Sequence, residues 1–391
     1  MITTSYPRTP TDGSAPFIAA IAEGIAKLGH NVDVILPHHP LLKEKVRNGV
    51  SLHTYRVPGD ETNPSWGYAQ SLEADVRLKK RVYPLALLAM HRAYRLALKV
   101  AKKNRPDLVH AHWVLPNGFI GARLSKTLAV PLVVSLHGSD MYLARKKKIF
   151  GSFARWVLKR AKAVTACSPD LQEQAEQLSK RDVALTEYGV DVNLFSPGGE
   201  PQQGTVLAVG RLVHKKGFVE LLHAFAQIFK YYKNSSIEII GDGPLLDALR
   251  DKASQLGLSE RVKLPGSAQH SDLPELYRRA EIVAVPSITD LSGNRDGLPN
   301  VLLEALASGC AVIASDIPGI RNVINDHEDG LLVRSGDIDS LSNAMVELFR
   351  NPSLRERLGI AARQRAANEL SWDVKCKQLE GIYLNAKNAN I

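Results

Sequence analysis

Short apolar runs alternate with helical patterns along almost the whole chain, and this alternation limits the fold more than any other feature. Runs of this length, bounded by turn residues, predict buried strands. They are residues 31–37, 107–113, 131–138, 163–168, 205–210, 236–241, 261–266, 281–287, 311–316 and 330–333. Helical patterns, such as residues 218–232, fill the gaps. The alternation is typical of α/β folds in which helices wind around parallel sheets.

Residues 196–204, SPGGEPQQG, interrupt this series because they are rich in proline and glycine and nearly free of apolar side chains. We interpret them as a linker between two doubly wound, Rossmann-like domains, residues 1–195 and 205–365. A chain of 391 residues has room for two such domains. Residues 366–391 predict a C-terminal helix, anchored by Trp372, that packs back toward the first domain. Ligands of such sheets bind beyond the carboxyl ends of the strands, so two facing domains would form a central cleft.

Composition indicates a globular, reduced protein. The content of 45% hydrophobic and 23% charged residues is ordinary, and the three cysteines are far apart, without metal-site spacing. No apolar run approaches the roughly 20 residues of a membrane span, and no signal peptide is visible. These features predict a cytoplasmic location. The opening residues, MITTSYPR, look like the end of a first strand, so either that strand is clipped or the native start lies upstream.

The net charge of +10 lies in the first half of the chain. Residues 1–195 hold 28 Lys and Arg against 16 Asp and Glu, whereas the remainder holds 22 against 24. Basic and apolar side chains interleave over residues 144–162, which suits a helix on an anionic membrane surface. A solvated basic face is the alternative. Nucleic acid is disfavoured because no nucleic-acid motif accompanies the stretch.

The segment RDGLPNVLLEALASG, residues 295–309, places two acids on either side of a helix start. Proline suits the first helical position and glycine the left-handed stop, so the helix is predicted from Pro299 to Ser308. Its N-terminus could hold a phosphate. Asp296 in the loop and Glu304 inside the helix could then reach hydroxyls on either side of that phosphate. A capped amphipathic helix with solvated acids is the alternative.

Three further loops hold candidate ligand-binding groups. Arg211 and Lys216 project from one strand-to-helix loop, where two cations could clamp a diphosphate. His137, in LHGSD, follows a strand and would face the cleft, although a lone histidine is often structural. Gly13 could let a phosphate approach the backbone or could be a turn glycine. The GDGP at residues 241–244 is weak evidence of a site.

Several motifs in this order resemble the retaining GT-B glycosyltransferases of family 4, over essentially the whole chain. The motifs are TSYPR…DG, HGSD, GRLVHKKG, IIGDGP, VPS and DGLPNVLLEALASGCAVIASDIPGI. The resemblance implies a GT-B fold and transfer of a sugar from a nucleotide diphosphate to an acceptor hydroxyl. It also implies retention of the anomeric configuration.

The resemblance also implies roles for the second domain. Glu304 matches the acid that binds the ribose hydroxyls, and Asp296 matches the acid that binds the donor sugar. Arg211 and Lys216 match the pair that neutralises the leaving diphosphate. Gly266 lies in the region that lines the base. The backbone near the diphosphate and sugar corresponds to Gly297, Leu298, Pro299 and Asn300.

In the first domain, His137 matches the residue beside the donor sugar, and Gly13 matches the first glycine-containing loop. The family commonly has glutamate at Asp296 and paired glycines where this chain has Gly13 and Ser14. The shorter acid puts its contact with the sugar in question, and the DLSGNR sequence before it predicts a different loop. No Asp-x-Asp motif follows a strand, so no essential metal and no cofactor are expected.

The expected partners are a nucleotide-sugar donor, with UDP first and GDP second, and a glycan or lipid-linked acceptor of cell-surface polysaccharide or glycolipid synthesis. An epimerase or phosphorolytic enzyme with a similar cleft is one alternative. A nucleotide-sugar-binding subunit disabled at Asp296 is another. A hydride-transferring Rossmann enzyme is disfavoured because no complete Gly-x-Gly-x-x-Gly follows a strand.

Overall fold

The chain forms two compact α/β units in the computed structural model, which describes residues 1–9, 12, 14–57, 66–67, 72–74, 77–78, 82–146, 148–290, 293 and 295–388. Unit 1 comprises Met1–Glu187 and Trp372–Ile391, and unit 2 comprises Tyr188–Ser371. Each apolar run that predicted a strand contains one, so the α/β prediction is confirmed.

Unit 1 begins with a strand-and-helix series in which the strands are short. Its strands are β1 (Val32–Pro37), β2 (Val46–Arg47), β3 (Val50–Tyr55), β4 (Leu72–Ala74), β5 (Arg77–Leu78), β6 (Val109–His112), β7 (Leu132–Leu136), β8 (Ala163–Ala166) and β9 (Ala184–Leu185). Its first helices are α1 (Pro16–Lys27), α2 (Val82–Asn104), α3 (Phe119–Leu128), α4 (Ser139–Lys146), α5 (Lys148–Leu158) and α6 (Pro169–Ser179). A short π-helix, Val114–Gly118, precedes α3.

The main sheet of unit 1 is mostly parallel. Strand β1 pairs with β3, and β6, β7, β8 and β9 follow one another in that order. Ile2 bridges Ile35 of β1 on one side and Ala111 of β6 on the other, both in parallel. The opening residues therefore occupy the place of a first strand between β1 and β6, as the sequence predicted. Strands such as β6 and β7 are buried throughout, which explains their continuous apolar sequence.

Unit 2 continues the same alternation. Its strands are β10 (Gln202–Val209), β11 (Ser236–Ile240), β12 (Val262–Gly266), β13 (Ala280–Val285), β14 (Val312–Ser315) and β15 (Leu331–Val333). Its helices are α7 (Phe218–Phe229), α8 (Leu246–Gln255), α9 (Leu273–Arg279), α10 (Asn300–Ala307), α11 (Pro318–Arg321), α12 (Ile338–Arg350) and α13 (Pro352–Asn368). A 3₁₀ turn, His214–Lys216, joins β10 to α7.

The sheet of unit 2 is fully parallel in the order β12-β11-β10-β13-β14-β15. Numbered from β10, this is the 3-2-1-4-5-6 order of a doubly wound dinucleotide-binding fold. The order reverses between β10 and β13. Ligands of such sheets bind where the strand order reverses, beyond the carboxyl ends of the strands. The loops after β10 and β13 are therefore the first place to look for a site.

Three predicted boundaries differ from the structure, and the first is the linker. The residues predicted as the linker, 196–204, lie inside unit 2, and β10 already begins at Gln202. The preceding segment packs on unit 2, because Phe195 is buried and Arg363 donates hydrogen bonds to the carbonyls of Val192 and Phe195. The chain therefore passes between units near Glu187 instead.

The helix predicted from Pro299 to Ser308 is slightly shorter. Helix α10 spans Asn300–Ala307, and Pro299, with a ψ of 124°, is its extended N-cap residue. Gly309 has a φ of +71° and terminates the helix in the left-handed conformation, as predicted. The difference of one residue at the start leaves Glu304 in the second turn, on the buried side of the helix.

The C-terminal helix predicted to begin at residue 366 begins later, because residues 366–368 still belong to α13 and unit 2 ends at Ser371. The last helix, α14 (Trp372–Asn388), belongs to unit 1. Its Leu379 and Tyr383 are in the same apolar core as Ile18 of α1 and Val34 of β1. The Lys375 ammonium lies 3.0 Å from the Glu187 carboxylate, which ties the returning helix to the end of unit 1.

Candidate active site

The turn after β10 holds two adjacent lysines and is locked against the turn after β13. Lys215 and Lys216 are in the 3₁₀ turn, and the amide of Ile288 donates to the Lys215 carbonyl at 2.8 Å. Gly217 follows with a φ of +67°, and a Cβ there would lie 1.8 Å from the Pro286 carbonyl oxygen. Only glycine fits this approach. The two loops at the reversal of strand order therefore form one rigid edge.

Asp296 lies against this edge and is bound on both carboxylate oxygens. Lys216 Nζ donates to Oδ2 at 2.8 Å, and Ser287 Oγ donates to the same oxygen at 2.7 Å. Lys215 Nζ lies 3.4 Å from Oδ1. The structure thus brings together Lys216 and Asp296, which are 80 positions apart in the sequence. Lys215 and Ser287 are members of the cluster that sequence reasoning missed.

The ionisation of Asp296 is favoured by its neighbours. The residue is 8% exposed, and burial alone would raise its pKa. The charges of Lys216 and Lys215 and the hydrogen bonds from Lys216 and Ser287 outweigh burial, so the pKa lies below its ordinary value. One carboxylate between two ammonium groups leaves the cluster with one net positive charge. Such a cluster can attract a phosphate.

Arg211 lies two residues after the end of β10 and is exposed. Its loop is held by the backbone, because the Leu212 amide donates to the Asp242 carbonyl at 2.9 Å and the Leu245 amide to the Leu212 carbonyl at 3.1 Å. These bonds join the loop after β10 to the GDGP turn after β11. The GDGP turn therefore has a structural role in supporting Arg211.

The loop before α10 passes very close to α11. A Cβ at Gly319 would lie 1.3 Å from the Gly297 carbonyl oxygen, so no larger residue fits without displacing one of the two backbones. Leu298 and Pro299 are buried, and Asn300 begins the helix. The run from Gly297 to Asn300 is thereby fixed next to Asp296. Its position at a helix N-terminus is compatible with the predicted phosphate contact.

Glu304 is 8% exposed and has a partner on each carboxylate oxygen. The Tyr277 hydroxyl donates to Oε2 at 2.9 Å, and His270 Nε2 lies 3.4 Å from Oε1. His270 is in the loop between β12 and α9. The Phe195 ring packs edge-on against its ring at 5.3 Å. The hydrogen bond to Glu304 raises the pKa of His270 although burial opposes the change.

Gly266 ends β12 and has a φ of +95°, and its carbonyl accepts from the Gly241 amide at 2.8 Å. The loop that follows contains His270, which contacts Glu304. The region predicted to line the base thus reaches the acid predicted to bind the ribose. Neither Tyr277 nor His270 was identified from the sequence. A histidine in a short loop after a strand was the only signal.

His137 lies in unit 1, at the carboxyl end of β7, and its environment is aromatic. His137 Nε2 lies 3.1 Å from Nδ1 of His112, and the rings of Phe17 and Trp113 are 4.8 and 5.0 Å from its ring. Burial lowers the pKa of His137 to about 3. A neutral imidazole can exchange hydrogen bonds with hydroxyl groups but is a poor proton donor at neutral pH.

Asp140 fixes the loop that presents His137. Its two carboxylate oxygens accept from the amides of Val114 at 2.8 Å and Gly138 at 3.1 Å. These bonds join the loop after β7 to the π-helix after β6. Burial raises the pKa of Asp140 despite these bonds.

One predicted site residue, Gly13, lies outside the described residues. So do Leu291, Ser292 and Asn294 of the predicted long loop before Asp296. Of the remaining predicted residues, those from Arg211 to Glu304 belong to unit 2 and His137 to unit 1. Within the described part of the chain, no group of three or more His, Cys, Asp or Glu side chains is placed to hold a metal ion. No described helix is long and apolar enough to cross a membrane.

Comparison with known proteins identifies the family of the chain. The sequence profile for glycosyl transferases group 1 matches residues 193–365, and that for the glycosyl transferase 4-like domain matches residues 12–189. The putative teichuronic acid biosynthesis glycosyltransferase TuaC of Bacillus subtilis is 28% identical over 88% of this chain and 87% of its own length. The phosphatidyl-myo-inositol mannosyltransferase of Mycobacterium leprae is 31% identical over 65% of this chain and 67% of its own length.

The fold also matches solved structures. Anabaena HepE in complex with UDP superposes with a TM-score of 0.75, covering 98% of both chains at 18% identity. At that identity the likeness establishes the fold alone, and it confirms the two-domain GT-B prediction. Together with the two sequence profiles and the similar glycosyltransferases, it shows that the chain belongs to the group 1 glycosyltransferases of family 4.

Proposed function

We propose that the protein is a retaining hexosyltransferase that moves a sugar from a nucleoside diphosphate to a hydroxyl acceptor. Its role would be in cell-surface polysaccharide or glycolipid synthesis. The observation that supports this best is the cluster of Lys216, Lys215 and Asp296 at the reversal of strand order in unit 2. A buried carboxylate with two ammonium groups, next to a helix N-terminus, suits a diphosphate bonded to a polyhydroxylated sugar.

The proposed chemistry needs stabilisation of a leaving group. The transition state would resemble an oxocarbenium ion, as in glycoside hydrolysis. Negative charge would grow on the departing diphosphate, and Arg211 and Lys216 would stabilise it. The leaving phosphate would accept the acceptor's proton on the same face of the sugar, without a covalent enzyme intermediate. His137, which is neutral at physiological pH, would position the donor by hydrogen bonding.

The donor base is proposed to be uracil first and guanine second. HepE, which shares the fold, was solved with UDP, with UDP and glucose and with UDP-glucose. In this chain, Glu304 would bind the ribose hydroxyls, and the loop after Gly266 would lie along the base. His270 contacts one carboxylate oxygen of Glu304, so a bound ribose would replace or share that contact.

The acceptor is proposed to be a glycan or a lipid-linked glycan. The name of TuaC refers to synthesis of teichuronic acid, and that of the mycobacterial relative to phosphatidyl-myo-inositol. Helix α5 of this chain exposes Ile149 and Phe153 among basic residues. This face would allow a peripheral contact with an anionic membrane.

Calorimetric titration without added metal tests the donor site. The panel is UDP, GDP and ADP with their common sugar nucleotides. We expect micromolar binding of one nucleotide family, lost in Glu304→Ala and retained in Glu260→Ala, an exposed acid of the same unit. Binding of none of them would contradict the proposal. Donor binding without turnover on any acceptor would favour a disabled binding subunit, and an α-linked product from an α-linked donor would establish retention.

A further inference from the structure

Lys215 and Lys216 contact different oxygens of the Asp296 carboxylate. The Lys215 ammonium lies 3.4 Å from Oδ1, whereas Lys216 and Ser287 both bind Oδ2. Each carboxylate oxygen therefore has its own cation. The side chains of Lys215 and Lys216 are 21% and 16% exposed, so both interactions are partly shielded from water.

The arrangement is built by the backbone. The Lys215 carbonyl accepts from the Ile288 amide, one residue after Ser287, and Gly217 packs on the Pro286 carbonyl. These contacts fix the Cα position of Lys215 relative to Ser287. The pairing of Lys215 with Asp296 thus follows from the rigid edge between the two loops.

Charge balance shows why two lysines are useful. Asp296 is a buried carboxylate, and a buried charge without a partner is costly. If Lys216 turns toward a diphosphate, the Ser287 hydroxyl is the contact to Oδ2 that remains among the described residues. Lys215 can still neutralise the carboxylate because it approaches the other oxygen. With one lysine alone, phosphate binding and carboxylate neutralisation would compete for the same ammonium group.

We propose that Lys215 is a positioning residue that holds the charge of Asp296 while Lys216 binds the donor diphosphate. This inference rests on the proposed function, because it requires a diphosphate at Lys216. Lys215 itself makes no contact with the phosphates. Without Lys215, Asp296 keeps its ion pair with Lys216, and Lys216 is then less available to the phosphates.

The test is the affinity for UDP at neutral pH, measured by calorimetry on the full chain. Lys215→Gln should weaken UDP binding about tenfold, as expected when a charged contact is redirected. Lys215→Arg keeps the charge and should stay close to wild type. Lys233→Gln removes an exposed charge elsewhere in unit 2 and should have no effect.

The decisive variant is the double substitution Lys215→Gln with Asp296→Asn. A neutral Asn can accept a hydrogen bond but forms no ion pair with Lys216, so UDP affinity should return close to the wild-type value. A defect that persists in the double variant would mean that Lys215 contacts the phosphates or supports the fold, and the inference would be wrong. Unchanged binding by Lys215→Gln alone would also overturn it.

A second measurement separates this inference from the proposed function. Wild-type protein that binds none of the nucleotides would refute the function, and acid unfolding of the ligand-free protein would then decide the pairing. Asp296 has a lowered pKa, so its stabilisation is present above the unfolded pKa and lost as pH falls through the folded pKa. Lys215→Gln should move that loss about one pH unit higher. An unmoved profile would overturn the pairing.

Discussion

Replacement of Gly319 by alanine tests whether the loop before α10 must be where the structure places it. Gly319 is in the short helix α11, and its φ is not in the left-handed region, so alanine causes no backbone strain there. The difficulty is space alone. The added Cβ would lie 1.3 Å from the Gly297 carbonyl oxygen, whereas ordinary contact begins near 3.4 Å. The Gly297 backbone must therefore retreat by about 2 Å.

Such a shift would displace the segment that leads from Asp296 into α10. A misplacement of about 1 Å can lower the rate about 100-fold, so we expect at least this loss in kcat/KM with the donor that the binding panel identifies. Overpacking should also cost about 1–3 kcal/mol of stability. Both effects have the same cause, the displaced carbonyl.

The matched control is Gly381→Ala. Gly381 is also helical, in α14, but a Cβ there meets nothing within 4 Å. That change should be neutral or stabilise by about 0.5–1 kcal/mol, because alanine favours helix. Donor affinity, kcat/KM and the unfolding midpoint of the two variants are measured side by side. If Gly319→Ala matched Gly381→Ala in all three, the argument from close backbone approach would be refuted.

Four further predictions concern the site. Lys216→Ala should lower kcat by about two to four orders of magnitude, as on loss of an oxyanion-type donor. Near-normal turnover in single-turnover kinetics would show that Lys216 does not bind the diphosphate. Asp296→Ala should reduce discrimination between sugar nucleotides in competition assays but keep affinity for the free nucleotide, since Lys216 is then released. Equal loss of discrimination and of nucleotide affinity would show that Asp296 does not contact the donor sugar. Glycosyl transfer should survive EDTA, and restoration by Mg²⁺ or Mn²⁺ of activity lost to the chelator would contradict the metal-free proposal. The pKa of His270 is raised above 6.5, so its pairing with Glu304 should stabilise the ligand-free protein fully below pH 6.5. This stabilisation should be lost as pH rises through the pKa of His270 in the folded protein. His270→Gln should make the thermal unfolding midpoint less dependent on pH in this range.

The sequence was sufficient for the positions of the strands and for the loops that follow them. Buried parallel strands require continuous apolar runs, and these were readable in the chain. The predicted segment 236–241 is strand Ser236–Ile240, and the predicted segment 311–316 is strand Val312–Ser315. Helix ends were predicted to within about one residue at α10, because proline and glycine have fixed backbone preferences.

The domain boundary was less accessible to sequence reasoning. The stretch SPGGEPQQG has the composition of a linker, but a side chain distant in sequence, Arg363, binds the carbonyls just before it. Composition reports local preference and contains no information on such contacts. The same limit applies to His137, whose aromatic neighbours are Phe17 of helix α1 and Trp113, which follows β6.

The sequence by itself determined the α/β class, the repeated strand-loop-helix units and the residue types at the ends of the strands, because these follow from local periodicity and turn chemistry. Only the tertiary structure decided which of those residues meet. The reversal of strand order brings Lys215, Lys216 and Ser287 around Asp296, and the loop after β12 brings His270 to Glu304. Hydrogen-bonded register between strands sets these distances, and register depends on partners far apart in the chain.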